Sequence, residues 1–309
     1  MFHLENAQSL LGVAGIVALC WLLSERRGRF PWRLALGAVM AQVEGPIFIR
    51  GYLASLTRSE LFLLLTVGMS CVSGSTVVAY ATILKGVLPS AAAHVLTASL
   101  ISAPAGVLLA RILVPRDPAA ETPRALDAAS LKTYESAIDA LIRGTSDGLQ
   151  IALNVGATLI VFVALIAIVN GLLGLAPSVA GAPLSVERIL GVLFSPLAWL
   201  MGVPWREAPV AGSLLGVKLV LTEFTAFANL AHLAPGAIGD RTRVIMTYAL
   251  CGFGNIASVG INVAGYSVLI PERRREVMDM VWKAMMGGFL ATCMTASVVG
   301  ALPAALYAR

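Results

Sequence analysis

Charge is scarce in this chain: Asp, Glu, Lys and Arg make up 13% of its 309 residues, against 58% hydrophobic residues. With a mean hydropathy of +0.85, that balance excludes an ordinary soluble globular domain. Cysteine is sparse too. Cys20, Cys71, Cys251 and Cys293 are scattered through apolar segments without CxxC or Cys/His spacing. They read as small buried hydrophobes, neither zinc ligands nor a disulfide framework. The histidines His3, His94 and His232 form no motif, and no carboxylate motif orients them. An intramembrane enzyme using Ser70, Ser73 or Ser75 with a histidine is therefore set aside. The net charge of +5 suggests nucleic acid at first sight, but no basic face or aromatic-basic platform occurs. No nucleic-acid partner, metal or resident cofactor is expected, and no covalent chemistry.

What is present is a succession of apolar runs near membrane-spanning length. Full spans are predicted at 10–23, 60–84, 95–114, 149–175, 244–270 and 281–307. Lys and Arg gather in the short loops between them, as in a multi-pass protein with cytoplasmic basic loops. The first run is followed, not preceded, by basic residues (Arg26, Arg27, Arg29), the reverse of a signal peptide. It is expected to be a retained helix. The stretch 184–203, with Pro196, Trp199 and nearby Trp205, suits an interfacial or partial segment. A surface helix is expected from Leu126 onward within the polar stretch 116–143.

The stretch 34–53 is long enough for one span, yet carries Gln42, Glu44, Gly45 and Pro46 at its centre. If it dips in and returns, the basic loops around Arg111–Arg143 and Arg273–Arg275 share one side with Arg26–Arg29. If it crosses, they do not. Charge placement favours a re-entrant hairpin. A second hairpin is expected at 210–230, where Lys218 and Glu223 sit mid-run. Each hairpin is followed by a span interrupted by Gly and Ser, at 68–75 and at 251–258, and then by an intact span. Small residues alone also serve helix packing. The repeated order points instead to two inverted halves with a binding site at paired breaks. The organisation expected is 1–30, first helix and basic loop; 31–115, first repeat; 116–148, linker; 149–309, second repeat. The fold class is all-α, a polytopic membrane protein with inverted repeats, re-entrant hairpins and discontinuous transmembrane helices.

Of the 17 acidic residues, only Glu44 and Glu223 lie inside apolar runs. An ionisable group there marks a cavity, an ion or a substrate. Gln42, Glu44, Glu223, Asn255 and Ser258 offer acceptors, amides and hydroxyls with few cations nearby. Lys218 either snorkels, pairs structurally or touches substrate. Phosphorylated substrates need several basic groups, so the chemistry suits a neutral molecule rich in hydroxyl and NH groups.

At these residues the chain resembles the concentrative nucleoside transporter family. Gln42-Val43-Glu44-Gly45-Pro46 resembles that family's Gly-Gln-Thr-Glu-Ala-Pro hairpin tip. Similar matches are Thr57–Phe62, Pro196–Trp205, Leu219–Phe224 and Tyr248–Asn255. The resemblance runs from about residue 10 to the C-terminus. It implies nucleoside uptake coupled to a proton or sodium gradient, a homotrimer, and an inner-membrane location. Carried over by position, Gln42 and Glu44 face the nucleobase, while Glu223, Asn255 and Ser258 hold the ribose hydroxyls with Phe253 nearby. Cys71, Val72 and Ser73 fall at the family's cation site. Three departures stand out. Val43 replaces Thr, Thr222 replaces Asn, and about 100 residues, enough for two spans and a hairpin arm, are missing between Met40 and Gln42. Arg33–Ala41 then stands in as a surrogate hairpin arm.

Overall fold

A computed structural model describes residues 50–88, 90–116, 136–178, 181 and 183–303. The expected first span, the first hairpin tip with Gln42 and Glu44, and the point of shortening lie outside the described residues. So does most of the polar linker.

All regular structure among the described residues is helical. After a single turn, α1 (Arg50–Leu53), the chain enters α2 (Arg58–Ser70). Thr57 fixes that start through a reciprocal cap. The Glu60 N–H donates to Thr57 Oγ1 at 3.4 Å, and the Thr57 N–H donates to Glu60 Oε2 at 3.0 Å. At Cys71 the backbone turns extended, and the helix resumes as α3 (Gly74–Leu84). The intact α4 (Ala91–Leu113) follows. After the linker, α5 (Ala137–Leu173) runs for 37 residues. At 1.5 Å per residue that is about 55 Å, well beyond a hydrocarbon core of about 30 Å. The boundary expected at 148/149 falls inside this one helix, which runs unbroken through Gly144 and Gly148.

The short α6 (Val186–Leu200) lies along α7 (Ala208–Val220). They approach so closely that a Cβ on Gly212 would overlap the Gly191 carbonyl oxygen. The chain reverses at Leu221–Thr222 into α8 (Glu223–Ala231). Then α9 (Asp240–Leu250) and α10 (Ile256–Leu269) form a second interrupted pair, followed by α11 (Arg274–Gly300). The succession of broken helix and long helix thus occurs twice, as α2/α3–α4 and α9/α10–α11.

The two breaks meet. The Phe253 N–H donates to the Cys71 carbonyl at 3.3 Å. A Cβ on Gly252 would fall 2.7 Å from Ser70 O and 2.6 Å from Thr292 Cγ2, so only glycine fits that crossing. One core cluster surrounds the crossing on the α3, α7, α8 and α9 side, with Tyr80, Leu215, Phe227, Ile245 and Phe289. The other joins α2, α4, α10 and α11 through Phe62, Leu65, Val107, Tyr266 and Met280. Among the described residues, one helix, α4, is long and apolar enough to cross a membrane alone. The interrupted helices divide their spans into halves that are individually too short.

Candidate substrate site

The site is built at the crossing of the breaks. Thr222 caps α8 by accepting the Thr225 N–H at 3.3 Å, which sets Glu223 at the first helical position. A carboxylate is favoured there by the positive end of the helix dipole. Facing Glu223, Asn255 caps α10: the Ser258 N–H and hydroxyl donate to Asn255 Oδ1 at 2.8 and 2.9 Å. That fixes the Asn255 amide, so its Nδ2 donates to Glu223 Oε2 at 2.7 Å. From the first repeat, the Tyr80 hydroxyl donates to Glu223 Oε1 at 2.8 Å. Tyr80 is itself stacked on Phe227, ring centroids 4.5 Å apart.

Glu223, Asn255 and Ser258 are therefore one buried, hydrogen-bonded unit. Phe253 is half-buried beside it, packed on the core cluster of α3, α7 and α9. An ionised carboxylate has about four acceptor positions. Tyr80, Asn255 and the Glu223 backbone N–H all address the carboxylate, which leaves about one acceptor position for an incoming hydroxyl or NH group.

Sequence reasoning missed Tyr80. It lies in an apolar helix, 143 residues from Glu223, and no neighbouring residue marks it. Lys218 has a structural role. It is fully buried, and its Nζ donates to the Ala249 carbonyl and to Thr292 Oγ1, both at 2.7 Å. It lies 5.4 Å over the Phe289 ring. Ala249 is at the C-terminal end of α9, where unpaired carbonyls and the helix dipole favour a cation. The ammonium ties the hairpin to the break.

At the first break the polar groups are largely engaged with each other. Ser99 Oγ accepts the Val72 N–H at 3.4 Å and donates to the Val72 carbonyl at 3.3 Å. The Cys71 thiol donates to the Ser99 carbonyl at 3.6 Å. Ser73 Oγ is 3.1 Å from Thr76 Oγ1. The break offers carbonyl and hydroxyl oxygens, but Cys71 contributes a soft sulfur that suits a hard cation poorly. Among the described residues, no group of three or more His, Cys, Asp or Glu can hold a metal.

A helical membrane fold with paired breaks and a buried acceptor site is the arrangement of a membrane transporter. Residues 94–300 match the family model described as "Na+ dependent nucleoside transporter C-terminus". The chain is 41% identical over 307 residues to the uncharacterized transporter YutK of Bacillus subtilis (strain 168), covering 97% of this chain and 73% of that one. It is 36% identical over 272 residues to the nucleoside permease NupC of Helicobacter pylori, covering 86% of this chain and 63% of that one. The structure resembles CNTnw in an inward-facing substrate-bound state. The TM-score is 0.71 and the identity 35%, covering 96% of this chain and 73% of that one. The chain belongs to the concentrative nucleoside transporter family, and its relatives are transporters, not enzymes. It is shorter than the proteins it matches, spanning less than two thirds of NupC.

Proposed function

We propose that this protein carries nucleosides across a bacterial inner membrane, coupled to a proton or sodium gradient, by alternating access of its two-hairpin core. The observation that carries the reading is the buried Glu223 carboxylate, held by Tyr80 and Asn255 at the crossing of the breaks with acceptor capacity to spare. Ribose hydroxyls are the natural donors for it. Ser258 and Phe253 complete that side, and Gln42 and Glu44 take the base. Cys71, Val72 and Ser73 border the cation path. The lipid bilayer and, in a homotrimer, neighbouring copies cover the apolar stripe of α5. Ile138, Ile142, Leu149, Leu153, Ile160, Leu165, Ile168 and Leu172 are exposed along it.

Radiolabelled uridine and adenosine uptake into proteoliposomes containing the 309-residue chain tests this. Uptake that collapses when the proton or the sodium gradient is dissipated is expected, and identifies the ion. The chain's shortness supports one second reading, a non-transporting relative that binds nucleoside without moving it. Saturable binding with no uptake by folded, inserted protein is its signature. Glu44→Gln is expected to alter base preference more than affinity for the sugar, read as the ratio of uridine to adenosine binding.

A further inference from the structure

Tyr80 is the feature that the family motifs do not account for. Three elements converge on one carboxylate: α8 supplies Glu223, α10 supplies Asn255, and α3 of the other repeat supplies Tyr80. Tyr80 and Asn255 address opposite oxygens, at 2.8 Å to Oε1 and 2.7 Å to Oε2. Two donors on two oxygens fix the rotation of the carboxylate plane, which a single donor does not. With the Glu223 backbone N–H also addressing the carboxylate, about one of its four acceptor positions stays free. Tyr80 is itself firmly placed, with its side chain 1% exposed and its ring lying on Phe227 at 4.5 Å between centroids.

We propose that Tyr80 is a positioning residue that sets hydroxyl selectivity, locking Glu223 so that its free acceptor position takes a hydrogen bond from one of the vicinal hydroxyls of a riboside. This rests on the reading of the site as one for nucleosides. With the plane locked, an analogue lacking that hydroxyl leaves a buried acceptor facing nothing, and a site built to bond a hydroxyl rejects the analogue without it. With Tyr80 unable to donate, the carboxylate can rotate and recover a partner, so the analogue is rejected less.

The test is equilibrium binding of uridine, 2′-deoxyuridine and 3′-deoxyuridine to the full chain and to Tyr80→Phe, which retains the ring. The expected result is a fall of about tenfold in discrimination between uridine and the deoxy analogues. An unchanged ratio overturns the proposal. So does an equal weakening for all three ligands, which is what a packing defect alone produces. Should Tyr80→Phe not fold, Phe227→Leu removes the ring that holds Tyr80, and the same fall in ratio is expected; an unchanged ratio there also overturns the proposal. Wild-type protein that binds none of the three overturns the nucleoside reading itself, and this inference with it. Wild-type binding with an unaffected Tyr80→Phe ratio overturns only the inference.

Discussion

At the residue scale, the polar groups at the crossing are each held by named partners, and their removal has distinguishable signatures. Asn255 does two jobs with its two amide atoms: Oδ1 caps α10 and Nδ2 donates to Glu223. Asn255→Asp keeps an oxygen for the cap but replaces a donor to Glu223 with a like charge. We expect binding of nucleoside to fall more than tenfold and the melting temperature in detergent to fall as well, because two buried carboxylates in contact repel. Asn255→Ala loses both, and a cap is worth about 1 kcal/mol, so both readouts should fall. Lys218→Ala strands the Ala249 carbonyl, removes the donor to Thr292 Oγ1 and leaves a void. A destabilisation of about 2–4 kcal/mol is expected from the lost charge-assisted bonds and the cavity, visible as a lowered melting temperature. The residues of the second half were legible in the sequence because a carboxylate inside an apolar run is anomalous wherever it folds. Tyr80 was not legible, since a tyrosine in an apolar helix is ordinary until the fold brings Glu223 to it.

At the scale of elements, the Gly/Ser-rich interruptions decided the architecture. Composition alone leaves packing and breakage as equal readings of 68–75 and 251–258. The structure contains both: the helices stop, and the stopped ends pack on each other through Gly252. Gly252→Ala should push Ser70 and Thr292 apart at a cost of about 1–3 kcal/mol. We expect a lower melting temperature and weaker nucleoside binding together, because Glu223 and Asn255 flank the displaced segment. The continuity of α5 through residue 148 was not legible for a physical reason. Gly144-Thr145-Ser146-Asp147-Gly148 carries the residue types that end helices, yet a glycine costs only about 1 kcal/mol against alanine, and the helix runs through them.

At the scale of the whole molecule, composition and the spacing of apolar runs were enough for a multi-pass helical protein, and the repeated order of elements for its two halves. The chain spans 73% of the length of YutK and 63% of that of NupC, and the described residues hold the second hairpin and both broken helices intact. We therefore place the centre of recognition on Glu223, in the part of the molecule that carries its partners. The most direct test is saturation binding of labelled uridine to purified wild-type chain and to Glu223→Gln. We predict saturable binding by the wild type and at least a tenfold loss in Glu223→Gln at an unchanged melting temperature, since the carboxamide NH2 donates to the Tyr80 hydroxyl, the oxygen still accepts from Asn255, and the acceptor for a ribose hydroxyl is lost. Equal affinity in the two proteins would contradict the account.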